Sequence, residues 1–115
     1  MASYKEISPV EVYKLNQESG GLRILDVRSA EEYEEVHAAI AVHLALESVH
    51  GESVSSMEFS KDDAVFVICR SGARSAKACE ILNKEGFKNL FNIVGGTMAW
   101  ADAGLPVCRA TKGAS

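Results

Sequence analysis

The chain has only two prolines and three cysteines among its 115 residues, and it carries no excess of positive charge. An odd number of cysteines, Cys69, Cys79 and Cys108, without paired spacing argues against a disulfide framework and for a reducing compartment. No C-x-x-C pattern is present, so a zinc site of that kind is not indicated, and no cofactor or metal is expected. Sixteen acidic against twelve basic residues leave a formal charge of −4, which offers no footprint for nucleic acid or an anionic membrane. Long apolar runs are also missing. The longest nearly apolar stretch, Ala38 to Leu46, is interrupted by His43 and falls well short of the ~20 residues of a membrane span. The first residues, MASYKEISPV, lack the basic and apolar regions of a secretory signal. The expectation is a cytoplasmic protein with no membrane span, while the polar stop soon after the last motif leaves open a longer protein continuing past Ser115.

What is present is an ordinary globular composition, 47% hydrophobic and 24% charged, with length for one domain and one core. Strand and helix signals alternate. Ser8, Pro9 and Glu11 form a capping-box start, with proline at the first helical position and a stop at Gly20-Gly21. Arg23 to Val27 reads as a short strand, and Ser29 with Glu32 opens a second, acid-rich helix. Ala38 to Leu46 is helix or buried strand by periodicity alone, and a further helix is expected around Val54 to Phe59. Ala64 to Ile68 (AVFVI) is an uninterrupted, β-branched-rich run, as expected of a central strand buried on both faces. A helix over Ser75 to Glu85, a strand over Leu90 to Val94, a turn at Gly95-Gly96 and a short helix over Thr97 to Ala103 follow. Thr111 to Ser115 reads as a frayed tail. This alternation predicts an α/β fold with a parallel sheet flanked by helices, and ligands at the carboxyl ends of the strands.

The segment Cys69-Arg70-Ser71-Gly72-Ala73-Arg74-Ser75 lies between the buried strand and the next helix. Cys69 therefore stands at a strand C-terminus and beside a helix N-terminus, where unpaired amides and the positive dipole end favour thiolate over thiol. Arg70 and Arg74 add positive charge, and Gly72 lets the loop curl so that its amides point inward as an anion nest. Cysteines in such surroundings are nucleophilic at neutral pH, which makes Cys69 the expected catalytic residue.

Three motifs together resemble the single-domain rhodanese, or thiosulfate sulfurtransferase-like, family. They are the Cys69 to Ser75 loop, the LDVR of Leu25 to Arg28 followed by Glu31-Glu32-Tyr33, and the Gly95 to Val107 run GGTMAWADAGLPV. The resemblance spans about Ile7 to Val107, the expected core of one domain over 1–115, with 108–115 as a flexible tail. It implies a three-layer α/β fold with a roughly five-stranded parallel sheet. It further implies sulfur transfer: Cys69 takes sulfane sulfur from thiosulfate or a related small-molecule donor, becomes a persulfide, and passes the sulfur to cyanide, a thiol or a protein acceptor. On that reading the amides of Arg70, Ser71, Gly72, Ala73, Arg74 and Ser75 cradle the transferred sulfur, and Arg70 and Arg74 attract and orient the anionic donor.

Two competing functions remain: a non-catalytic or regulatory module using Cys69 as a redox or nitrosation sensor or docking surface, and a phosphatase or arsenate reductase. Against the latter, the phosphatase relatives use Cys-x5-Arg, whereas arginine here falls at Cys-x4-Arg, with no general acid in view. The family's glycine- and proline-rich connection after its first helix is replaced by Val36 to Ala45 (VHAAIAVHLA). Loss of its glycines predicts that this connection runs as a longer helix. His37 and His43 read as bracing residues and His50 as exposed, although a Cys69–histidine dyad is left open. Asp26 and Arg28 suggest an ion pair beneath the loop. Cys79 and Trp100 read as core, and Cys108 as an incidental, at least half-exposed thiol.

Overall fold

A computed structural model describes residues 4–109. Its main sheet is five-stranded and parallel throughout, in the order β1 (Lys5–Ile7), β6 (Asn89–Ile93), β5 (Ala64–Ile68), β2 (Ile24–Asp26), β4 (Ala41–His43). A separate antiparallel pair joins β3 (Val36–Ala38) to β7 (Val107–Arg109).

The central position of β5 follows from its sequence. Along Val65-Phe66-Val67-Ile68-Cys69, alternate side chains enter opposite cores, so both faces of the strand must be apolar. Val65, Val67 and Cys69 pack with Val54, Cys79 and Leu82 under α3 (Gly51–Ser56) and α4 (Ala73–Lys84). Phe66 and Ile68 pack on the other face with Val12 of α1 (Pro9–Ser19) and Trp100 of α5 (Gly96–Asp102). The result is three layers, helices on a sheet on helices. Trp100 is buried, donates from Nε1 to the Pro106 carbonyl at 2.8 Å, and meets the Tyr13 ring edge-on.

Local signals set the helix starts. Ser8 and Ser29 cap α1 and α2 (Ala30–Glu35) in full capping boxes with Glu11 and Glu32. The third cap is less obvious: His50 Nδ1 accepts from the Ser53 amide at 3.2 Å, and Ser53 Oγ accepts from the His50 amide. This cap places α3 at Gly51–Ser56, several residues ahead of the helix expected over Val54 to Phe59.

The Val36 to Ala45 connection is not a longer helix. It runs as β3, a turn and β4, because each half finds a strand partner: β3 pairs with β7, and β4 with β2. Tyr33 reinforces the path, its hydroxyl donating to the Ala41 carbonyl at 2.9 Å. Cys108 and Arg109, assigned above to the tail, belong to β7, while Thr111 to Ser115 lie outside the described residues. Among the described residues, no helix is long and apolar enough to cross a membrane.

Candidate active site

Cys69 is the first residue after β5, and α4 begins four residues later. The turn between them needs Gly72, whose φ of 117° is left-handed and disfavours any side chain. That conformation aims the Gly72 amide at Cys69 Sγ, 3.0 Å away, while Ser75 Oγ lies 3.3 Å from the same sulfur. Burial would raise the pKa of this thiol. Hydrogen bonds from the Ser75 hydroxyl and from the amides of Ser75, Gly72 and Ser71 outweigh burial and bring the pKa below the ordinary thiol value. Cys69 itself is only 1% exposed.

Asn92, at the carboxyl end of β6, was not flagged by the sequence. It is buried, accepts from Ser75 Oγ at 2.5 Å through Oδ1, and donates from Nδ2 to the Gly72 carbonyl at 3.1 Å. One side chain thus braces the Ser75 hydroxyl and the Gly72 peptide, two of the groups around the sulfur. Only the fold brings it there, from 20 residues beyond Gly72.

The loop is also held from outside. The amides of Thr97 and Met98 donate to the carbonyls of Cys69 (2.8 Å) and Arg70 (3.3 Å), which brings α5 hard against the loop. Gly96 makes that approach possible: a Cβ there would run into both of those carbonyls.

The two loop arginines have different fates. Arg74 forms a two-pronged ion pair with Glu32, at 2.7 and 2.9 Å, so the charge expected to orient a donor faces a protein carboxylate instead. The Arg74 bond, against a smaller opposing effect of burial and aided by the Ser29 cap, lowers the Glu32 carboxyl to about 2. Arg70 is exposed and lines a cleft of about 520 Å³ beside the loop. Ser71 and Ala73 are exposed at the loop's outer surface.

Beneath the loop, Arg28 and Asp26 form the expected buried pair at 2.8 Å, and Arg28 also donates to the Val36 carbonyl at 2.6 Å. None of the three histidines reaches Cys69. His37 Nδ1 contacts the Tyr33 carbonyl at 2.7 Å and its ring stacks on Tyr33; His43 Nε2 contacts the Arg28 carbonyl at 2.7 Å; His50, exposed, caps α3. A cysteine–histidine dyad is therefore absent. Cys79 is fully buried, and burial, with the nearby Glu80 carboxylate, pushes its thiol up to about 12. Cys108 is exposed on β7. Among the described residues, no cluster of three or more His, Cys, Asp or Glu side chains could hold a metal ion.

A parallel α/β sheet that ends its central strand in a cysteine, with the sulfur met by loop amides, defines a class of domains that present a thiolate inside an anion-binding turn. Within that class the chain belongs to the rhodanese-like domain family, whose sequence profile matches residues 8–103. It is 39% identical over 100 residues to the putative sulfur carrier protein YrkF of Bacillus subtilis, covering 86% of this chain and 52% of that one, so it spans about half of that relative. It is 38% identical over 95 residues to thiosulfate sulfurtransferase 16, chloroplastic, of Arabidopsis thaliana, covering 75% of this chain and 79% of that one. The crystal structure of a rhodanese-like domain protein from Staphylococcus aureus superposes with a TM-score of 0.73 at 30% identity, over 89% of this chain and 96% of that one. Its relatives are named as sulfurtransferases and sulfur carriers.

Proposed function

We propose that this domain transfers sulfane sulfur from an anionic donor such as thiosulfate to a thiophilic acceptor through a persulfide on Cys69. The Cys69 thiolate attacks the outer sulfur of the donor, the S–S bond breaks, and sulfite leaves with the electron pair. In the second half, the acceptor attacks the terminal persulfide sulfur, and Cys69 departs as thiolate. Both halves leave negative charge on sulfur inside the loop.

The observation that carries this reading is the set of donors on Cys69 Sγ: the Gly72 amide at 3.0 Å, the Ser75 hydroxyl at 3.3 Å, and the bonds that lower the thiol's pKa. A thiolate is both the better nucleophile in the first step and the leaving group in the second, so one cradle serves both. Arg70, exposed at the loop edge and in no ion pair among the described residues, draws in the anionic donor. Arg74 fastens the loop to α2 through Glu32. Cysteines that form no disulfide with one another suit work in the cytoplasm.

The test is incubation with excess thiosulfate without reductant, intact mass measurement, then addition of cyanide and assay of thiocyanate. The expected result is the gain of one sulfur atom on Cys69, released as thiocyanate and absent in Cys69→Ser. Rapid alkylation of Cys69 at neutral pH with neither sulfur loading nor turnover would overturn the proposal.

A further inference from the structure

Asn92, near the carboxyl end of β6, is only 4% exposed, and the two ends of its amide meet different chemistry. The Gly72 carbonyl can only accept, so the group 3.1 Å from it is the nitrogen, Nδ2. Oδ1, which likewise can only accept, therefore faces the Ser75 hydroxyl, and that hydroxyl must donate to it. Ser75 is fully buried and has a second acceptor in reach, Cys69 Sγ at 3.3 Å. One proton thus serves two acceptors. The charge on sulfur decides between them, since a thiol or a sulfur in an S–S bond is a weak acceptor and a thiolate a strong one.

Among the described residues no charged side chain bonds to Ser75 or Asn92. Around the loop, Arg74 is paired with Glu32 of α2, and Arg28 with Asp26 of β2. The adjoining cleft sets Arg70 and Arg109 against Glu35 and Asp102, two charges of each sign, and β6 carries no ionisable residue. The other thiol of this core, Cys79 on α4, is pushed up to about 12 and stays neutral. The choice of the Ser75 proton is therefore made between Asn92 and the sulfur alone.

We propose that Asn92 is a positioning residue acting through Ser75: it holds the hydroxyl proton while Cys69 Sγ is neutral and yields it to the sulfur when charge arrives there. Asn92 thereby works against the thiolate. Without Oδ1 the hydroxyl would turn to sulfur unopposed, and Cys69 would ionise at lower pH. Such a thiolate is more abundant but less nucleophilic, and an attacking thiol is most effective with its pKa near the ambient pH. Asn92 is the counterweight that keeps the loop's donors from over-stabilising the charge. The competition for the proton stands on geometry alone; its part in turnover rests on the persulfide reading. In the first half-reaction Sγ gives its electron pair to the new S–S bond, sulfite leaves with the pair of the broken bond, and the hydroxyl swings to Asn92. In the second, the acceptor attacks the terminal sulfur, the bond to Sγ breaks, its electron pair returns to Sγ, and the hydroxyl swings back. The proton stays on Ser75 throughout.

The test is the pH profile of Cys69 alkylation, read by peptide mapping, in Asn92→Leu, a side chain of similar size that accepts nothing. The Gly72 carbonyl keeps the Ala76 amide at 3.2 Å, so it is not orphaned. The lost bond is one made only in the thiol form, so the midpoint should fall and the thiolate fraction at low pH rise roughly two- to tenfold. In a Ser75→Ala background the same substitution should leave the midpoint where Ser75→Ala alone puts it. Above the midpoint, sulfur loading from thiosulfate should slow by up to about threefold, while discharge of the loaded protein to cyanide quickens because the leaving thiol is more acidic. A merely slackened loop would slow both. Asn92→Val, which suits a strand, carries the same test where Asn92→Leu does not fold. In the unsubstituted protein, the side-chain amide resonances of Asn92 should titrate with Cys69 and stay constant in Cys69→Ser. An unmoved or raised midpoint, an equal shift without Ser75, or amide resonances indifferent to Cys69 ionisation would overturn the proposal. If the midpoint falls but Cys69 never loads sulfur, the persulfide reading falls and the competition for the proton stands. If loading and cyanide turnover proceed with the midpoint unmoved, only the role of Asn92 falls.

Discussion

Ser75→Ala tests the sulfur cradle most directly, because the serine hydroxyl has one proton and two acceptors. It lies 2.5 Å from Asn92 Oδ1 and 3.3 Å from Cys69 Sγ. With Cys69 as thiol, the proton bonds Asn92; with Cys69 as thiolate, rotation toward sulfur satisfies the charge. A hydrogen bond to a charged group contributes about 1.5–3 kcal/mol, and each ~1.4 kcal/mol is tenfold in population. Turning toward sulfur gives up the Asn92 bond, about 0.5–1.5 kcal/mol, so removing the hydroxyl should cut the thiolate fraction at low pH by a net factor of roughly five to ten. The thiolate that remains is more basic and more nucleophilic, with a Brønsted coefficient of about 0.4–0.5, so roughly half of that loss survives in rate on a logarithmic scale. Iodoacetamide alkylation of Cys69, on the rising limb of the pH profile below both midpoints, is expected to slow roughly two- to fourfold, with the midpoint moved up. Peptide mapping keeps Cys108 out of the measurement. An unchanged midpoint in a folded Ser75→Ala protein would refute the reasoning, because the hydroxyl would then serve Asn92 alone. The variant should also lose about 1–3 kcal/mol of stability, since Asn92 Oδ1 is left buried without its donor.

The remaining predictions concern the frame of the site. Glu32→Gln removes the Arg74 pair; because Glu32 is held at about 2 in the folded state, its contribution is full above the ordinary carboxylate range and is lost as pH falls toward that value. Both side chains are about one-third exposed, so the effect at neutral pH is held to about 1 kcal/mol, and the gap between urea midpoints of variant and wild type should close on acidification. Gly96→Ala combines a φ of 61° with collision against the Cys69 and Arg70 carbonyls, so a loss of about 2 kcal/mol or more and a Tm fall of roughly 8 °C or more are expected by calorimetry. Cys79, pushed up to about 12 by burial, should stay unlabelled by iodoacetamide in the folded protein while Cys69 and Cys108 react, as peptide mapping would show.

What could be read along the chain was whatever local chemistry decides. Ser8 with Glu11 and Ser29 with Glu32 each set a helix start within four residues, and the apolar run of β5 can be satisfied only between two helical layers. Likewise, a cysteine followed by a glycine-bearing turn and a helix carries its own geometry. The missed elements depend on partners far away. β1 is three residues, Lys-Glu-Ile, too short to show a pattern, and it is a strand because β6 offers an edge. β3 is a strand because Arg109 meets Val36 across most of the chain. The same holds in the site: Asn92 and Thr97 lack any local signature, and Arg74 looked free because its partner lies 42 residues earlier.

The pairing of β7 with β3 has a consequence for how this domain could be wired to others. Since Arg109 both ends that strand and lines the cleft, anything joined downstream by a flexible linker starts its search at the cleft's rim. A tethered thiol would meet the persulfide at an effective concentration on the order of millimolar, whatever its intrinsic affinity. Choice among acceptors could then be set by attachment rather than by complementarity, and a weakly binding carrier domain fused at that side would outcompete free thiols present below millimolar concentration.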